Sequence, residues 1–243
     1  MKLGARTRRR GLIDKVLSRK RGTVARMRAA PPLGARAEPG GRVVEAIALG
    51  GVGELVAPET NVAERRTTQP TALFVTCDAA SNGSYDGLFA LRSALEATSR
   101  EARPRLVAVD FVIDPIQVHR AAGAGADAIV LVHRLVSDAA LADLVTCARS
   151  VTLEPVVEVC TPEELEHAVA LGAAILAVSV RDRDHGRFMI ERAEDLAALA
   201  LGRARLVALS APAGEPFERL KAAFDFVVLD PHPLDSPTAD VAD

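Results

Sequence analysis

The chain has 243 residues, of which 49% are hydrophobic and 26% are charged, which is typical of a globular protein. No apolar run approaches the roughly 18 residues of a membrane-spanning helix, so we expect no membrane association. The three cysteines form no CxxC pair, which favours a reducing cytoplasm over a secreted disulfide framework. Five scattered histidines without HxxxH spacing predict no metal site, and no motif indicates a cofactor.

The formal net charge of −2 conceals an asymmetry along the chain. Residues 1–36 contain twelve Lys or Arg residues and a single acid, Asp14, whereas residues 37–243 contain 18 basic and 31 acidic residues. Such a basic arm could contact nucleic acid, anionic lipid or its own acidic body, and it also resembles a transit peptide. We favour a helix that packs on its own domain, and we do not expect nucleic acid as a partner.

The first third of the chain is the least regular. Apolar residues recur at helical spacing along Leu12–Ala30, which predicts an amphipathic helix. A stretch rich in Pro and Gly follows, and Val43–Leu49 is then the first apolar run with the composition of a strand. Gly50, Gly51 and Gly53 predict a loop after that strand, and Asn61–Thr68 is a candidate polar helix.

The rest of the chain alternates short apolar runs with segments of helical periodicity. Runs this rich in Val, Ile and Leu are typical of parallel strands buried on both faces, and a helix is the connection that parallel strands require. Counting the strand at Val43–Leu49, the pattern predicts an α/β fold, a (β/α)8 TIM barrel with an extra N-terminal helix. The expected domains are 1–41, a basic arm and helix, 42–235, the barrel, and 236–243, an acidic tail. The other predicted strands are Ala72–Thr76, Leu106–Val109, Ala128–Val132, Pro155–Val159, Ala174–Val178, Arg205–Leu209 and Phe224–Leu229.

Four strand-end motifs carry a family resemblance: DFVIDPIQV (Asp110–Val118), GADAIVLV (Gly125–Val132), EPVVEV (Glu154–Val159) and AVSVRDRD (Ala177–Asp184). Together with the helical LIDKVLSRKR they resemble indole-3-glycerol phosphate synthase. The resemblance implies a (β/α)8 barrel with an extra N-terminal helix. It also implies an enzyme of the tryptophan pathway, which closes the pyrrole ring of a carboxyphenylamino-deoxyribulose phosphate with loss of carbon dioxide and water. A phosphorylated small molecule is the substrate that the resemblance implies.

The resemblance nominates five site residues in this sequence. Glu158 keeps the strand-five carboxylate and is the candidate base, Arg181 keeps the strand-six arginine, and Ser210 keeps the strand-seven serine. These three are the candidate catalytic residues. Ser179 replaces an asparagine on strand six, and Asp110 follows strand three; both are expected to bind substrate.

Other positions depart from the family pattern. The acid lysine that precedes Asp-Phe in the family is Val109, and the Glu-x-Lys that ends strand one matches Ala46–Ala48, with Glu45 one register away. The glycine of Glu-Ser-Gly on strand seven is Ala211, whose Cβ would obstruct phosphate. After strand eight, the Gly-rich phosphate turn is replaced by Asp230–Pro233, which offers a negative charge and too few N–H donors.

Three functions remain open from the sequence. The first is a synthase-like protein that is catalytically impaired or inactive, a pseudoenzyme in which Glu158 and Arg181 persist as structural relics. The second is a working indole-3-glycerol phosphate synthase that uses these two residues. The third is a barrel scaffold that assembles with other proteins through its basic arm. The acidic tail is short, which predicts a shortened last helix and exposed apolar surface on strands one and eight. A protein partner, a second copy of the chain or the basic N-terminal helix could cover that surface.

Overall fold

The computed structural model describes residues 12–31, 43–48, 51–56, 71–97, 99, 103–182 and 187–229. They contain a closed barrel of eight parallel strands in sequence order, with the first strand paired to the last. This confirms the predicted TIM barrel. The strands are β1 Gly51–Val56, β2 Ala72–Thr76, β3 Arg105–Val109, β4 Ala128–Val132, β5 Glu154–Val159, β6 Ile175–Ser179, β7 Arg205–Ala211 and β8 Phe226–Leu229.

Helices connect most of these strands and surround the barrel. Several begin where a side chain accepts a hydrogen bond from a first-turn N–H, as Ser84, Asp114, Ser137 and Thr161 do. No helix in the described ranges is long and apolar enough to cross a membrane. The helices are α1 Leu12–Ala29, α2 Val43–Ala48, α3 Tyr85–Leu95, α4 Pro115–Gly123, α5 Asp138–Ser150, α6 Pro162–Ala170, α7 Ile190–Ala200 and α8 Glu215–Ala223.

The first predicted strand is wrong. Val43–Ala48 forms α2, and the barrel begins instead at the glycine-containing segment Gly51–Val56, which the sequence had suggested as a loop. Val43 and Ile47 are four residues apart and fully buried in the interior cluster of the barrel. A short apolar run fits a helix and a strand equally well, and here burial of one helical face decides. Since two residues separate α2 from β1, α2 closes the end of the barrel where the strands begin.

Two aromatic residues of the neighbouring strands are aligned with β1. Backbone pairing aligns Gly51 with Phe226, on one side, and Leu55 with Phe74, on the other. The two phenylalanine rings are fully buried and lie 6.1 Å apart, centroid to centroid. The flanking rings therefore supply aromatic packing beside a strand that begins Gly-Val-Gly.

Helix α1 covers the outside of the barrel, beside α4. Arg120 donates hydrogen bonds of 2.9 Å to the carbonyl oxygens of Met27 and Ala30, at the end of α1. Arg28 forms an ion pair of 2.6 Å with Asp114, the N-cap of α4. The predicted helix at Leu12–Ala30 is thus confirmed, and its described part packs on its own barrel. The predicted polar helix at Asn61–Thr68 and the C-terminal tail lie outside the described residues.

Candidate active site at the carboxyl ends of the strands

The interior of the barrel is mostly apolar where the strands end. Side chains alternate along each strand, so residues aligned by backbone pairing share the inner face. Glu158 is aligned with Val132 and Ala177, which both belong to the interior cluster. Within the described strands, Glu158 is the titratable residue of this last inner row. By the inner row we mean the last inward-facing residue of each strand from β2 to β7, and pairing aligns these residues only two by two: Thr76 with Val109, Val132 with Glu158, and Ser179 with Leu209.

Glu158 is fully buried on β5, and its charge influences a neighbouring thiol. Burial raises the pKa of Cys160 to about 11, and the negative charges of Glu158 and Glu164 contribute to this. Arg134 and Arg192 act in the opposite direction. The Cys160 thiol is therefore protonated at neutral pH and is a poor nucleophile.

Ser179 and Arg181 are joined by a hydrogen bond at the end of β6. The buried Ser179 hydroxyl donates to the Arg181 carbonyl oxygen at 2.8 Å, and Arg192 donates to the Ser179 carbonyl oxygen at 3.2 Å. The Arg181 guanidinium carbon lies 5.7 Å from the centroid of the Phe188 ring, a cation–π distance. Arg181 and Phe188 also form an isolated antiparallel β-bridge. Arg181 is therefore positioned by the segment that precedes α7.

Ser210 lies in an irregular part of β7. Its φ is +57°, a left-handed conformation that residues with a Cβ adopt at a cost of about 1–2 kcal/mol. The strand pairing shifts register between Ala208 and Ala211, and Ala211 is fully buried. Backbone strain at the end of a barrel strand is the kind of feature that accompanies function.

Asp110 belongs to a different arrangement, the Lys20 cluster, formed by Lys20, Asp78, Tyr85 and Asp110. The Asp110 carboxylate is fully buried and forms an ion pair with Lys20 of α1. It also accepts hydrogen bonds of 2.9 Å from the Tyr85 hydroxyl and from Gln117 Nε2, and one of 2.8 Å from the backbone of Phe111. Four protein donors contact its oxygens, and the ion pair with Lys20 helps to hold α1 on the barrel; substrate binding by Asp110 stays a prediction.

The rest of the Lys20 cluster could not be found in the sequence. Lys20 Nζ also lies 2.8 Å from Asp78 Oδ1, and Asp78 forms a second ion pair of 2.9 Å with Arg19. Lys20 is 58 residues from Asp78 and 90 from Asp110. Only the folded barrel shows that the ends of β2 and β3 face the same turn of α1.

Some of the predicted losses at the barrel mouth can be located in the structure, whereas Asp230–Pro233 lies outside the described residues. Val109 occupies the inner row at the end of β3, aligned with Thr76. The stretch Ala46–Ala48, which was matched to the family's Glu-x-Lys, lies in α2, and Glu45 lies there too. The actual β1 contains Glu54, but pairing aligns Glu54 with Leu229, whereas Gly53 is aligned with the interior residue Val228. The segment that forms β1, GVGELV, contains no lysine.

The fold and these strand ends define a (β/α)8-barrel protein whose candidate site lies at the carboxyl face of its sheet. The family described as indole-3-glycerol phosphate synthase matches residues 50–214. The chain therefore belongs to the indole-3-glycerol phosphate synthase family.

Individual relatives match only part of this chain. The indole-3-glycerol phosphate synthase of Micrococcus luteus is 31% identical over 156 residues, which are 61% of this chain and 56% of that protein. The multifunctional tryptophan biosynthesis protein of Schizosaccharomyces pombe is 34% identical over 128 residues, which are 53% of this chain and 17% of that protein.

Among solved structures, 3-keto-L-gulonate-6-phosphate decarboxylase from Vibrio cholerae superposes with a TM-score of 0.55 at 18% identity. The superposition covers 73% of this chain and 86% of that one. At this identity the likeness concerns the fold alone.

Proposed function

We propose that this chain is a catalytically impaired member of its family, a pseudoenzyme that has lost the ring-closing activity of indole-3-glycerol phosphate synthase. The observation that carries the proposal is the inner row at the strand ends, where Val109 occupies the place of the family's acid lysine. An isopropyl group has no proton to transfer, and Glu158 is the titratable side chain left in the described part of that row.

The reaction that the family resemblance implies needs several groups at once. A general acid must reach the carbonyl oxygen, a cation must face the substrate carboxylate, and backbone amides must hold the phosphate. Of these, β3 offers Val109, and β1 contains no lysine or arginine. Ala211 adds a buried methyl group where the family has glycine.

The magnitudes argue for an activity close to background. Loss of one general acid typically lowers a rate by about 10²–10⁴-fold. Loss of one preorganised charge partner lowers it by about 10²–10³-fold. Such losses are not additive when residues act as a unit, so we take about 10⁴-fold as the expected minimum. Glu158 alone can accept a proton but cannot replace the missing cations.

The proposal is tested by the fluorescence-detected formation of indole glycerol phosphate from carboxyphenylamino-deoxyribulose phosphate. We expect no rate above the protein-free background for the wild type. Wild-type turnover that Glu158→Gln abolishes would contradict the proposal and would assign an active synthase. The same substrate added in a calorimeter reports whether a phosphorylated small molecule is still bound.

A variant in which the acid lysine is restored shows whether one catalytic group is missing or several. Val109→Lys returns the acid lysine while β1 and Ala211 stay unchanged. We expect this variant to remain within about tenfold of the wild type, because the other groups are still missing. A gain of about 100-fold or more would show that only the acid had been lost. Val109→Met, of similar length but uncharged, is the matched control.

A further inference from the structure

Three side chains that commonly bind metal ions meet outside the barrel mouth. His133 lies in the turn that follows β4, Asp138 is the first residue of α5, and His167 is on α6. Their ligand atoms all lie within 4.8 Å of one another. We propose that His133, Asp138 and His167 form a binding site for a divalent transition-metal ion, with Zn²⁺ as the ion that fits best.

The three ligand atoms are close enough together to bind one ion. His133 Nε2 and His167 Nδ1 are 2.8 Å apart, and each lies 3.6 Å from Asp138 Oδ1. The three edges average about 3.3 Å, which is the separation expected for ligands about 2.0–2.1 Å from a tetrahedral Zn²⁺. Neighbouring ligands of an octahedral ion at the same bond length would be only about 3.0 Å apart. The individual edges of 2.8 and 3.6 Å lie on either side of both values, so the preference for a tetrahedral Zn²⁺ rests on the two histidine ligands and not on these distances.

The two imidazole nitrogens are directed at each other. The ring planes are inclined by 85°, and the centroids are 5.1 Å apart. Two neutral imidazole nitrogens can face each other at 2.8 Å only if one of them carries the proton between them. A cation can take the place of that proton and bind both lone pairs, and neutral histidine is the commonest metal ligand among side chains.

One side of the site is open to solvent. The side chain of His133 is 9% exposed, that of His167 is 28% exposed and that of Asp138 is 73% exposed. A buried ligand fixes the position of the ion, and the exposed carboxylate leaves a path for its entry. The arrangement supplies three protein ligands and leaves a fourth position for water, as in His₂-carboxylate zinc sites.

This site is distinct from the barrel mouth and independent of the proposed function. Val132 lies in the inner row beside Glu158, whereas His133, the next residue, contacts α6 on the outside. The sequence predicted no metal site because the ligands are spaced at 5 and 29 residues and match no zinc motif. A bound ion would join the β4 turn, α5 and α6, which are otherwise connected there by side-chain packing.

The test is titration of Zn²⁺ into the full chain after chelator treatment and removal of any affinity tag. We expect one equivalent to bind at micromolar concentration, and Zn²⁺ to raise the melting temperature. His167→Gln and Asp138→Asn should each weaken binding by about tenfold or more and abolish the thermal shift, because each removes one of three ligands. The absorption of bound Co²⁺ should have the intensity typical of four-coordinate sites.

Controls keep the inference falsifiable. His119→Gln removes an exposed histidine whose Nε2 lies 3.8 Å from the Cys147 sulfur, and it should leave the affinity within about twofold of the wild type. Circular dichroism and melting without metal verify that each variant is folded. Absence of Zn²⁺ binding to the wild type would overturn the inference, and so would equal affinity in folded His167→Gln and Asp138→Asn variants.

Discussion

Substitution of Lys20 by methionine should strongly destabilise the protein, because it leaves two buried carboxylates without their shared cation. The side chains of Lys20, Asp78 and Asp110 are 1%, 6% and 0% exposed. At an effective dielectric constant of about 20, the 2.8 Å pair with Asp78 alone has a gross attraction of about 6 kcal/mol, most of which offsets desolvation. Removing one partner of a buried pair typically costs about 3–5 kcal/mol. We expect a loss of this size in the free energy of unfolding, measured in urea.

A matched substitution on the same helix gives the control. Arg19 also pairs with Asp78, at 2.9 Å, but its side chain is 44% exposed. Arg19→Met should therefore cost less than about 1 kcal/mol. Adding Asp110→Asn to Lys20→Met should recover part of the loss, since one uncompensated charge is then removed. A cost below about 1 kcal/mol for Lys20→Met would refute the reasoning, since the carboxylates would then be hydrated or protonated at little expense.

Four further substitutions test local features of the fold. Gly22→Ala should stabilise the protein by about 0.5–1 kcal/mol in urea unfolding, because a Cβ on this residue in the middle of α1 has free space around it. Gly83→Ala should destabilise the protein by about 1–3 kcal/mol, because its Cβ would overlap the backbone carbonyl at the end of β2. Alkylation of Cys160 at pH 8, followed by mass spectrometry, should be slow, since a pKa of about 11 leaves about 100-fold less thiolate than the ordinary value of 9.0. Glu158→Gln should accelerate the alkylation by lowering the pKa of Cys160. An unchanged rate in that variant would argue against the charge interaction. Ser210→Gly should raise the free energy of unfolding by about 0.5–1 kcal/mol by relieving left-handed strain, and a loss would show that the serine side chain stabilises the turn.

The sequence predicted the barrel well where strands are buried on both faces. Ala72–Thr76 and Ala128–Val132 were predicted with the bounds that the structure has, because continuous runs of apolar residues between turn signals leave little choice. It failed at Val43–Ala48 and Gly51–Val56. A β-branched pair opens the helix and two glycines occupy the strand, so local propensity pointed the wrong way at both places. In these two segments the secondary structure depends on tertiary contacts, namely closure of the barrel and packing beside its interior aromatic rings.

The candidate site was predictable only where it depends on strand ends. Glu158 and Ser179 lie in the inner row, as expected for residues that end parallel strands. The roles of Asp110 and His133 could not be predicted in this way, because their partners come from other elements at long sequence separation. Alternation along a strand shows which face a residue occupies, but only tertiary structure shows which distant side chain meets it.

The most direct test of impaired catalysis is the turnover number of the purified chain for carboxyphenylamino-deoxyribulose phosphate. It should be measured beside the Micrococcus luteus relative under the same conditions. With Val109 in the place of the acid lysine and no lysine or arginine in β1, we predict a rate at least about 10⁴-fold lower than that of the relative. A rate within about tenfold of the relative, lost in Glu158→Gln, would contradict the account and assign the family's activity to this chain.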